Sequence, residues 1–397
     1  MWYYKGMKKK SVGIIAEYNP FHNGHLYHLN QSKELTNAEV SIVAMSGNFV
    51  QRGQVAIADK WKRAEAAIKC GADLVVEIPV VFACNSAPYF AKAGVEILEA
   101  LGVDFISFGS ESGNIDELKN ISQEMKKLHR EIEEYIKEAV KNGLSYPRAR
   151  EEAVRNLIGE EAASLINNPN NILALEYLKN IEKSKVTTVK RNGPGYNDLN
   201  TCNELASATA IRYLMEEKED VTGLMPAESA SSILDENRPS EKILFKLICH
   251  KALTTSTEEL DSVCAGGEGL GNKLKNCIRK VNSYDELIEE LKSKRYTRTR
   301  IERFLMQVLL DIKTPDNMCN YIRVLAFNKK GSAYLKSIKK LEICDLPIIT
   351  NINKEIESYP EIEDIVAKDI LATDIYNLLT DRDLYKYSEY VKRPYNE

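Results

Sequence analysis

The chain of 397 residues lacks several features that mark particular protein classes. No apolar run approaches the ~20 residues of a membrane-spanning helix. The opening Met1–Lys10 segment carries basic residues with no apolar stretch after them, so we expect no secretory signal peptide. The eight cysteines include no C-x-x-C pair, which argues against a zinc site and for a reducing compartment. These absences predict a cytoplasmic protein without a structural metal.

The overall composition sets further bounds. A hydrophobic content of 44% is ample for a packed core, and 28% charged residues is ordinary for a globular chain. The length suits two domains, or one large domain with an appendage. The net charge of −4 gives no general attraction to nucleic acid. Such a partner would therefore have to contact a local basic patch.

Residues 12–110 alternate short apolar runs with helical patterns, which predicts an α/β fold. We predict strands at Ser11–Ala16, Val40–Met45, Leu74–Ile78, Phe105–Phe108 and Val186–Val189, and helices at Gly24–Glu34, Asp59–Cys70 and Ala87–Leu101. Strands without alternation are typical of a parallel sheet that is covered on both faces. The order of elements predicts a Rossmann-like doubly wound sheet, whose ligand lies beyond the carboxyl ends of the strands.

The remaining sequence divides into a charged insertion and a long helical region. Residues from about 113 to 183 have a helical pattern, and from about Ser229 onward the pattern is helical to the end. We place the boundary near Met225-Pro226. The prediction is a sheet domain over residues 8–226, with the helical insertion at about 113–183, followed by a helical domain over residues 227–397.

Three of the five histidines, His22, His25 and His28, fall within seven residues. They follow the first predicted strand and the turn at Asn19-Pro20. A lone histidine near a turn is usually a solvated or capping residue. A strand, a turn and a helix N-terminus with His-x-Gly-His at its start instead predict a phosphate site, because free N–H groups and the helix dipole favour an anion. Imidazoles there add donors for charge that develops on phosphorus. His28, one turn further on, faces either the site or solvent.

A second candidate element is Ser207-Ala208-Thr209-Ala210-Ile211-Arg212. A hydroxyl residue before an apolar helical run is explained by capping alone. An arginine one turn later at the same helix end is also well placed to bind a phosphate. Alone, this pattern is weak evidence for a phosphate site, and the histidines upstream strengthen that evidence.

The segment Asn19-Pro20-Phe21-His22-Asn23-Gly24-His25 resembles the HxGH signature of a nucleotidyltransferase superfamily that includes class I aminoacyl-tRNA synthetases. Longer strings resemble the bacterial tRNA(Met) cytidine acetate ligase family within it. These strings are Glu17–His25, Met45-Ser46-Gly47-Asn48-Phe49-Val50-Gln51-Arg52-Gly53, Pro169-Asn170-Asn171-Ile172-Leu173 and Lys294–Arg300. The resemblance extends from about Lys9 to about Asn328.

This resemblance implies a function and a set of site residues. Members of the family activate acetate with ATP as acetyl-adenylate and acetylate the wobble cytidine of elongator tRNA(Met). Carried over by motif, the ATP contacts are Ile15, Glu17, Asn19, Pro20, His22, Gly24, His25, His28, Gly109, Asn170 and Arg191, with Thr209 and Arg212 at the triphosphate end. His22 and His25 would be catalytic, Mg²⁺ would bridge phosphates, and Asn171 remains an alternative to Asn170. Ala208 stands where many superfamily members carry serine.

The second half-reaction needs a surface for RNA. The segment from Lys292 to Arg303 has six basic residues and one acidic residue. It is either a solvated helix face or a set of contacts to tRNA phosphates. We predict substrate or tRNA contacts at Arg52, Lys294, Arg295, Tyr296, Arg298, Arg300 and Arg303.

Two other functions remain open at this stage. One is an adenylyltransferase that acts on a small phosphorylated acceptor, although such an enzyme needs no surface for a polymer. The other is a tRNA-binding protein with a vestigial nucleotide site, although His22, Gly24, His25 and Arg212 are all present.

Overall fold

The computed structural model describes residues 8–191, 206–293, 296–315 and 319–397. Within them the strands are β1 Ser11–Ala16, β2 Val40–Ser46, β3 Phe49–Val50, β4 Gln54–Val55, β5 Leu74–Ile78, β6 Phe105–Ser110, β7 Lys185–Lys190, β8 Ile322–Phe327, β9 Ile348–Ile349 and β10 Tyr395–Asn396. The main sheet has the order β10-β8-β5-β2-β1-β6-β7, with β9 also paired to β8. β3 and β4 form a separate hairpin.

The helices surround this sheet and form most of the second half of the chain. They are α1 Asn23–Thr36, α2 Lys60–Lys69, α3 Val80–Ala83, α4 Ala87–Ala100, α5 Ile115–Lys127, α6 His129–Lys141, α7 Tyr146–Leu157, α8 Glu160–Leu165, α9 Pro169–Asn180, α10 Ala208–Glu216, α11 Ala227–Ile233, α12 Glu241–Thr254, α13 Thr257–Asp261, α14 Leu270–Cys277, α15 Tyr284–Leu291, α16 Arg298–Leu310, α17 Lys329–Lys340, α18 Ile352–Glu355 and α19 Glu363–Leu379. Short 3₁₀ turns occupy Thr222–Leu224, Ile356–Ser358 and Pro360–Ile362.

The five predicted strands are confirmed, and they pair in parallel as β5-β2-β1-β6-β7. Both faces of the sheet are covered, so alternate residues of one strand enter different cores. On β2, Ile42 packs into the core with α4 and α17, whereas Val43 packs on the opposite face with α1 and α2. This double burial explains why the strand sequences show no polar alternation.

The expectation that the chain is helical from about residue 229 to its end is wrong. β8, at Ile322–Phe327, returns to the main sheet and pairs antiparallel with β5. β10 then adds to the outer side of β8 in parallel. The chain between β7 and β8 supplies α12, α14, α15 and α16, which pack with α19 around a common core. The α/β fold with a largely helical C-terminal part is therefore confirmed, while the division at residue 226 stays a prediction.

No helix in the described ranges combines the length and the apolar character needed to cross a membrane.

Candidate active site

A cavity of about 670 Å³ opens at the carboxyl ends of β1, β6 and β7. It brings together most of the residues predicted from the sequence. The predicted residues in its lining are Ile15, Glu17, Asn19, His22, Gly24, His25, His28, Arg52, Gly109, Asn170, Arg191 and Arg303. The site thus lies where a doubly wound sheet places its ligand.

Two histidines cap the first turn of α1. Nδ1 of His22 accepts a hydrogen bond from the Gly24 N–H at 3.1 Å, and Nδ1 of His25 accepts one from the His22 N–H at 3.3 Å. A Cβ on Gly24 would lie 2.9 Å from Cε1 of His22, so a side chain there would displace the imidazole. Because Nδ1 of each ring is an acceptor, a neutral ring carries its proton on Nε2. The Nε2–H of His22 can donate to an oxygen of a ligand, whereas the His25 ring also has a hydrogen bond with the Pro20 backbone.

The surroundings keep all three histidines uncharged. Burial, with the nearby charges of Arg191 and Arg212, lowers the pKa of His22 to about 3. Burial, together with its two histidine neighbours, holds the pKa of His25 well below the usual value. Burial and Arg191 lower the pKa of His28 to about 4. Neutral imidazoles beside arginines create a place in the cavity that favours an anion.

His28 points toward the cavity, which is one of the two directions that its spacing left open. It lines the cavity, and its Nε2 lies 3.4 Å from the Ser107 hydroxyl on β6. That contact orients the ring between α1 and the sheet. His28 can therefore contact a ligand that lies over the end of β6.

The second predicted element lies behind the turn before α1. Ser207 caps α10, and its side chain accepts from the Ala210 N–H at 3.0 Å. Ser207 lines the cavity, but Thr209 and Arg212 are absent from its lining. Nη1 of Arg212 instead donates to the Asn19 carbonyl at 2.7 Å, and Nη2 lies 3.3 Å from the Thr209 hydroxyl. In this arrangement Arg212 supports the turn that carries the histidines.

Pro20 is also part of that support and not of the lining. The Asn19-Pro20 peptide bond is cis, and Pro20 is buried. The Asn19 side chain accepts from the Ile57 N–H at 2.8 Å, which ties the turn to the segment before α2.

The structure distinguishes Asn170 from Asn171. Asn170 lines the cavity, and its Nδ2 donates to Glu111 at 2.7 Å. Asn171 is 1% exposed, and its amide contacts the Glu111 N–H and the Leu165 carbonyl. Asn171 therefore joins the backbones of Glu111 and Leu165, and Asn170 is the one of the two that lines the cavity.

The helical insertion contributes residues that sequence reasoning missed. Tyr146, Arg150, Glu176 and Tyr177 line the cavity from α7 and α9. Arg150 Nη2 lies 3.1 Å from the partly buried Glu176 carboxylate, so the two helices are joined across the cavity wall. No local motif marks these residues. They reach the site because the insertion connects β6 to β7, whose carboxyl ends form the same edge.

Arg63 is neither exposed nor part of the cavity lining. Its guanidinium is completely buried and donates to backbone carbonyls. Nη1 contacts the Glu17 oxygen at 2.6 Å, Nε contacts Ala58 at 2.9 Å, and Nη2 contacts Ser46 at 3.2 Å and also Gly47. Arg63 thus joins the carboxyl ends of β1 and β2 next to the histidine turn.

Lys60 is likewise buried and does not lie on the surface. Its Nζ lies 2.6 Å from Glu77 and 2.8 Å from Glu389, which is close to the end of the chain. The carboxylate of Glu389 also lies 3.3 Å from Arg323 on β8. Arg323 adds nothing to a basic surface, because its side chain is 2% exposed and pairs with Glu389.

The basic segment before and within α16 is divided between the surface and the cavity. Arg298 lies 3.0 Å from both Glu302 and Asp285, and Arg300 lies 3.5 Å from Glu268. Arg303, one turn later, lines the cavity. The predicted contacts Lys294 and Arg295 lie outside the described residues.

Tyr296 does not project as a free stacking surface. It is 8% exposed, and its hydroxyl donates to the Glu268 carbonyl at 3.1 Å. The Arg300 guanidinium lies 4.9 Å from the centre of its ring. Its contacts are those of a residue that orders the start of α16.

The chain is similar to known proteins over nearly its whole length. The model of the HIGH Nucleotidyl Transferase family matches residues 9–390. A protein of Thermoanaerobacter sp. called tRNA(Met) cytidine acetate ligase is 42% identical over 92% of this chain and 94% of its own length. The chain belongs to the tRNA(Met) cytidine acetate ligase family. A family member from Caldicellulosiruptor saccharolyticus is 39% identical over 96% of both chains.

Solved structures from the same family have the same fold. The apo crystal structure of Thermotoga maritima TmcAL matches with a TM-score of 0.88 and 30% identity, over 98% of this chain and 99% of the other. A second crystal form of that ligase, bound with alpha-thio ATP, matches with a TM-score of 0.86 at the same identity and coverage. The resemblance of the sequence to the cytidine acetate ligase family is confirmed.

Proposed function

We propose that the chain is an ATP-dependent ligase that makes acetyl-adenylate and transfers its acetyl group to the wobble cytidine of elongator tRNA(Met), giving N⁴-acetylcytidine. The observation that carries the proposal is the cavity in which the capped pair His22 and His25 meets Arg191 and the Ser207 cap. Family membership over nearly the whole chain supports the same activity. We place the enzyme in the cytoplasm.

ATP would bind across the carboxyl ends of the strands. Gly109 and Asn170 lie on the β6 side of the cavity, and the histidines lie at the start of α1. We assign Ile15, Glu17, Asn19, Gly24 and His28 to the nucleotide because they line the same cavity. Arg191 would face the phosphates. Pro20, Thr209 and Arg212 would act through the turn that they support.

In the first half-reaction an acetate oxygen forms a bond to the α-phosphorus. The bond from that phosphorus to the oxygen that bridges to the β-phosphorus breaks, and pyrophosphate leaves with the electron pair. We assign the Nε2–H groups of His22 and His25 to phosphate oxygens, where a positioned donor stabilises the charge that develops. In the neutral state an imidazole can donate its Nε2–H to a phosphate oxygen without a carboxylate to balance a charge on the ring.

Magnesium would enter with the nucleotide. Across the described ranges, no group of three or more His, Cys, Asp or Glu side chains is arranged to hold a metal ion. Mg²⁺ prefers phosphate oxygens and retains most of its water. The substrate is thus proposed to be the magnesium complex of ATP, with the protein contacting its phosphates.

In the second half-reaction the exocyclic amine of cytidine attacks the acetyl carbon. The bond from that carbon to the AMP oxygen breaks, AMP leaves, and the amine loses a proton to water. An anticodon loop is suited to this step because its bases are already unpaired. We propose that Lys294, Arg295, Arg298 and Arg300 contact tRNA phosphates outside the cavity, with Tyr296 ordering the start of α16. The acetylated product would leave with the tRNA.

An ATP–pyrophosphate exchange assay with acetate, run with and without tRNA, tests this function. We expect exchange that requires acetate and does not require tRNA, followed by N⁴-acetylcytidine detected by mass spectrometry when elongator tRNA(Met) is added. Retained tRNA binding without exchange would favour a binding protein. Transfer of AMP to a phosphorylated small molecule, with no role for acetate, would favour an adenylyltransferase.

The division between the two half-reactions has its own test. Arg295→Ala and Arg298→Ala should weaken tRNA binding, and the loss should shrink as salt is raised, because the contacts are to phosphates. Exchange with acetate should persist in both variants. Equal loss of exchange and tRNA binding would contradict this division.

A further inference from the structure

One corner of the cavity depends on a close contact between the β3–β4 hairpin and α16. Gly53 in the hairpin turn has φ +79°, and a Cβ there would lie 2.2 Å from the backbone nitrogen of Arg303. Glycine therefore permits both the turn and the approach. The contact places Arg52, which precedes this glycine, beside the first turns of α16.

A third segment, the loop before α4, completes the corner. The Gln51 side chain donates to the Asn85 carbonyl at 3.2 Å, and the Gln307 side chain on α16 donates to the Cys84 carbonyl at 3.0 Å. The Gln51 N–H also donates to the Glu17 carboxylate at 3.0 Å, just beyond β1. The corner is thus built from hydrogen-bonded segments and is joined to the strand that leads to the histidine cap.

The corner contains a cation, Arg303, with which no described carboxylate forms an ion pair. Arg303 lines the cavity, and among the described residues its guanidinium forms no hydrogen bond and no ion pair. Burial is the main cause that lowers the pKa of Arg303; Cys84 and Glu302 oppose this shift, and the charges of Arg300 and Arg52 add to it. The adjacent Glu302 carboxylate is directed to Arg298, 3.0 Å away. A partly buried positive charge next to like charges gains stability when an anion binds.

We propose that Arg303, with Arg52 beside it, forms the subsite that binds the carboxylate of the acyl substrate. The inference rests on the proposed function and adds the binding position of acetate, the second small substrate. Acetate and the triphosphate are both anions and repel each other. A guanidinium on one carboxylate oxygen offsets that repulsion and leaves the other oxygen to attack the α-phosphorus. The cavity lining also includes Ala87, Pro88 and Phe90, an apolar surface suited to a methyl group.

The position of Arg303 favours a small carboxylate over an RNA phosphate. Arg298 and Arg300 lie on the same helix outside the cavity lining, and both pair with acidic side chains. Arg303 shares its cavity with His22 and His25. An RNA backbone would contact the outer positions first, whereas acetate must reach the α-phosphate.

The test compares Arg303→Gln and Arg303→Lys with the wild-type chain. Arg279→Gln serves as a control, since Arg279 is exposed and lies away from the cavity lining. We expect the KM for acetate in pyrophosphate exchange to rise about tenfold or more in Arg303→Gln and less in Arg303→Lys, as expected for loss of a charge-assisted hydrogen bond. The Kd for ATP, measured without acetate, should stay within about twofold of wild type. Thermal unfolding checks that each variant is folded.

A measurement that needs no turnover separates this subsite from the proposed function. Saturation-transfer NMR would record acetate binding in the presence of a non-hydrolysable ATP analogue. A signal that is present in wild type and Arg279→Gln but lost in Arg303→Gln supports the subsite, whether or not the wild type catalyses exchange. Equal acetate signals in all three proteins overturn it, as does a loss confined to ATP affinity or to tRNA affinity. Absence of acetate-dependent exchange in the wild type contradicts the proposed function alone.

Discussion

The imidazole rings of His22 and His25 stack with 3.7 Å between their centroids and 26° between their planes. Stacking at this distance requires that the rings not both be charged, because two adjacent positive charges in a buried site repel strongly. The contact and the hydrogen bonds at the helix cap therefore favour the same neutral state. In that state each ring carries one N–H, on Nε2, at the start of α1.

His22→Asn should separate capping from catalysis. Asparagine is a good N-cap residue, so α1 should keep its first turn and thermal unfolding should change little. Acetate-dependent pyrophosphate exchange should fall by ~10²–10³-fold if the imidazole donor acts in the transition state. The exposed His129, changed to Asn, provides the control. Unchanged exchange in His22→Asn would show that the donor is not needed.

The lowered histidine pKa values also predict how stability depends on pH. In the unfolded chain these rings take up protons near pH 6.5, whereas the folded values are about 3 for His22 and about 4 for His28. The unfolded state thus binds more protons below pH 6.5, and the stability associated with neutral rings falls as pH falls toward 4. Urea unfolding at pH 7.5, 6 and 5 should show this decline, with a shallower slope in His22→Asn. Equal slopes would argue against a buried neutral ring.

Asn170 and Asn171 give a matched pair with opposite expectations. Asn170→Ala should raise the KM for ATP and leave the melting temperature nearly unchanged, because Asn170 lines the cavity. Asn171→Ala should lower stability by ~1–3 kcal/mol, because it leaves the partly buried Glu111 N–H without its acceptor and removes one donor from the Leu165 carbonyl. Kinetics and thermal unfolding of both variants check the assignment. The reverse pattern would reassign the ligand contact to Asn171.

Arg63→Met should be among the more damaging single changes. It removes the Arg63 donor from four buried backbone carbonyls, those of Glu17, Ser46, Gly47 and Ala58. We expect a loss of more than ~2 kcal/mol in the free energy of unfolding. Lys62→Met on the same helix is the control, since that side chain is 38% exposed. A similar small loss in both variants would show that the Arg63 contacts contribute little.

The sequence predicted the five parallel strands and the histidine cap because both depend on local signals. The run Ile322–Phe327 was missed, because a short apolar segment cannot be told from a buried helical segment by periodicity. Its strand partner, β5, lies more than two hundred residues earlier. The burial of Lys60 and Arg63 also has no local signal in the sequence. Charged residues at helical spacing are usually exposed, and only the fold brings Glu389 and the strand-end carbonyls to them.

The return of β8 to the side of β5 has a practical consequence for expression. A recombinant fragment that stops at residue 226 would retain β5 but lose the strand that pairs with it. The unpaired amide and carbonyl groups along the edge of β5 could then pair with strands of other molecules. Such a fragment should aggregate, and biochemical work on the nucleotide site calls for protein that continues through Tyr395–Asn396.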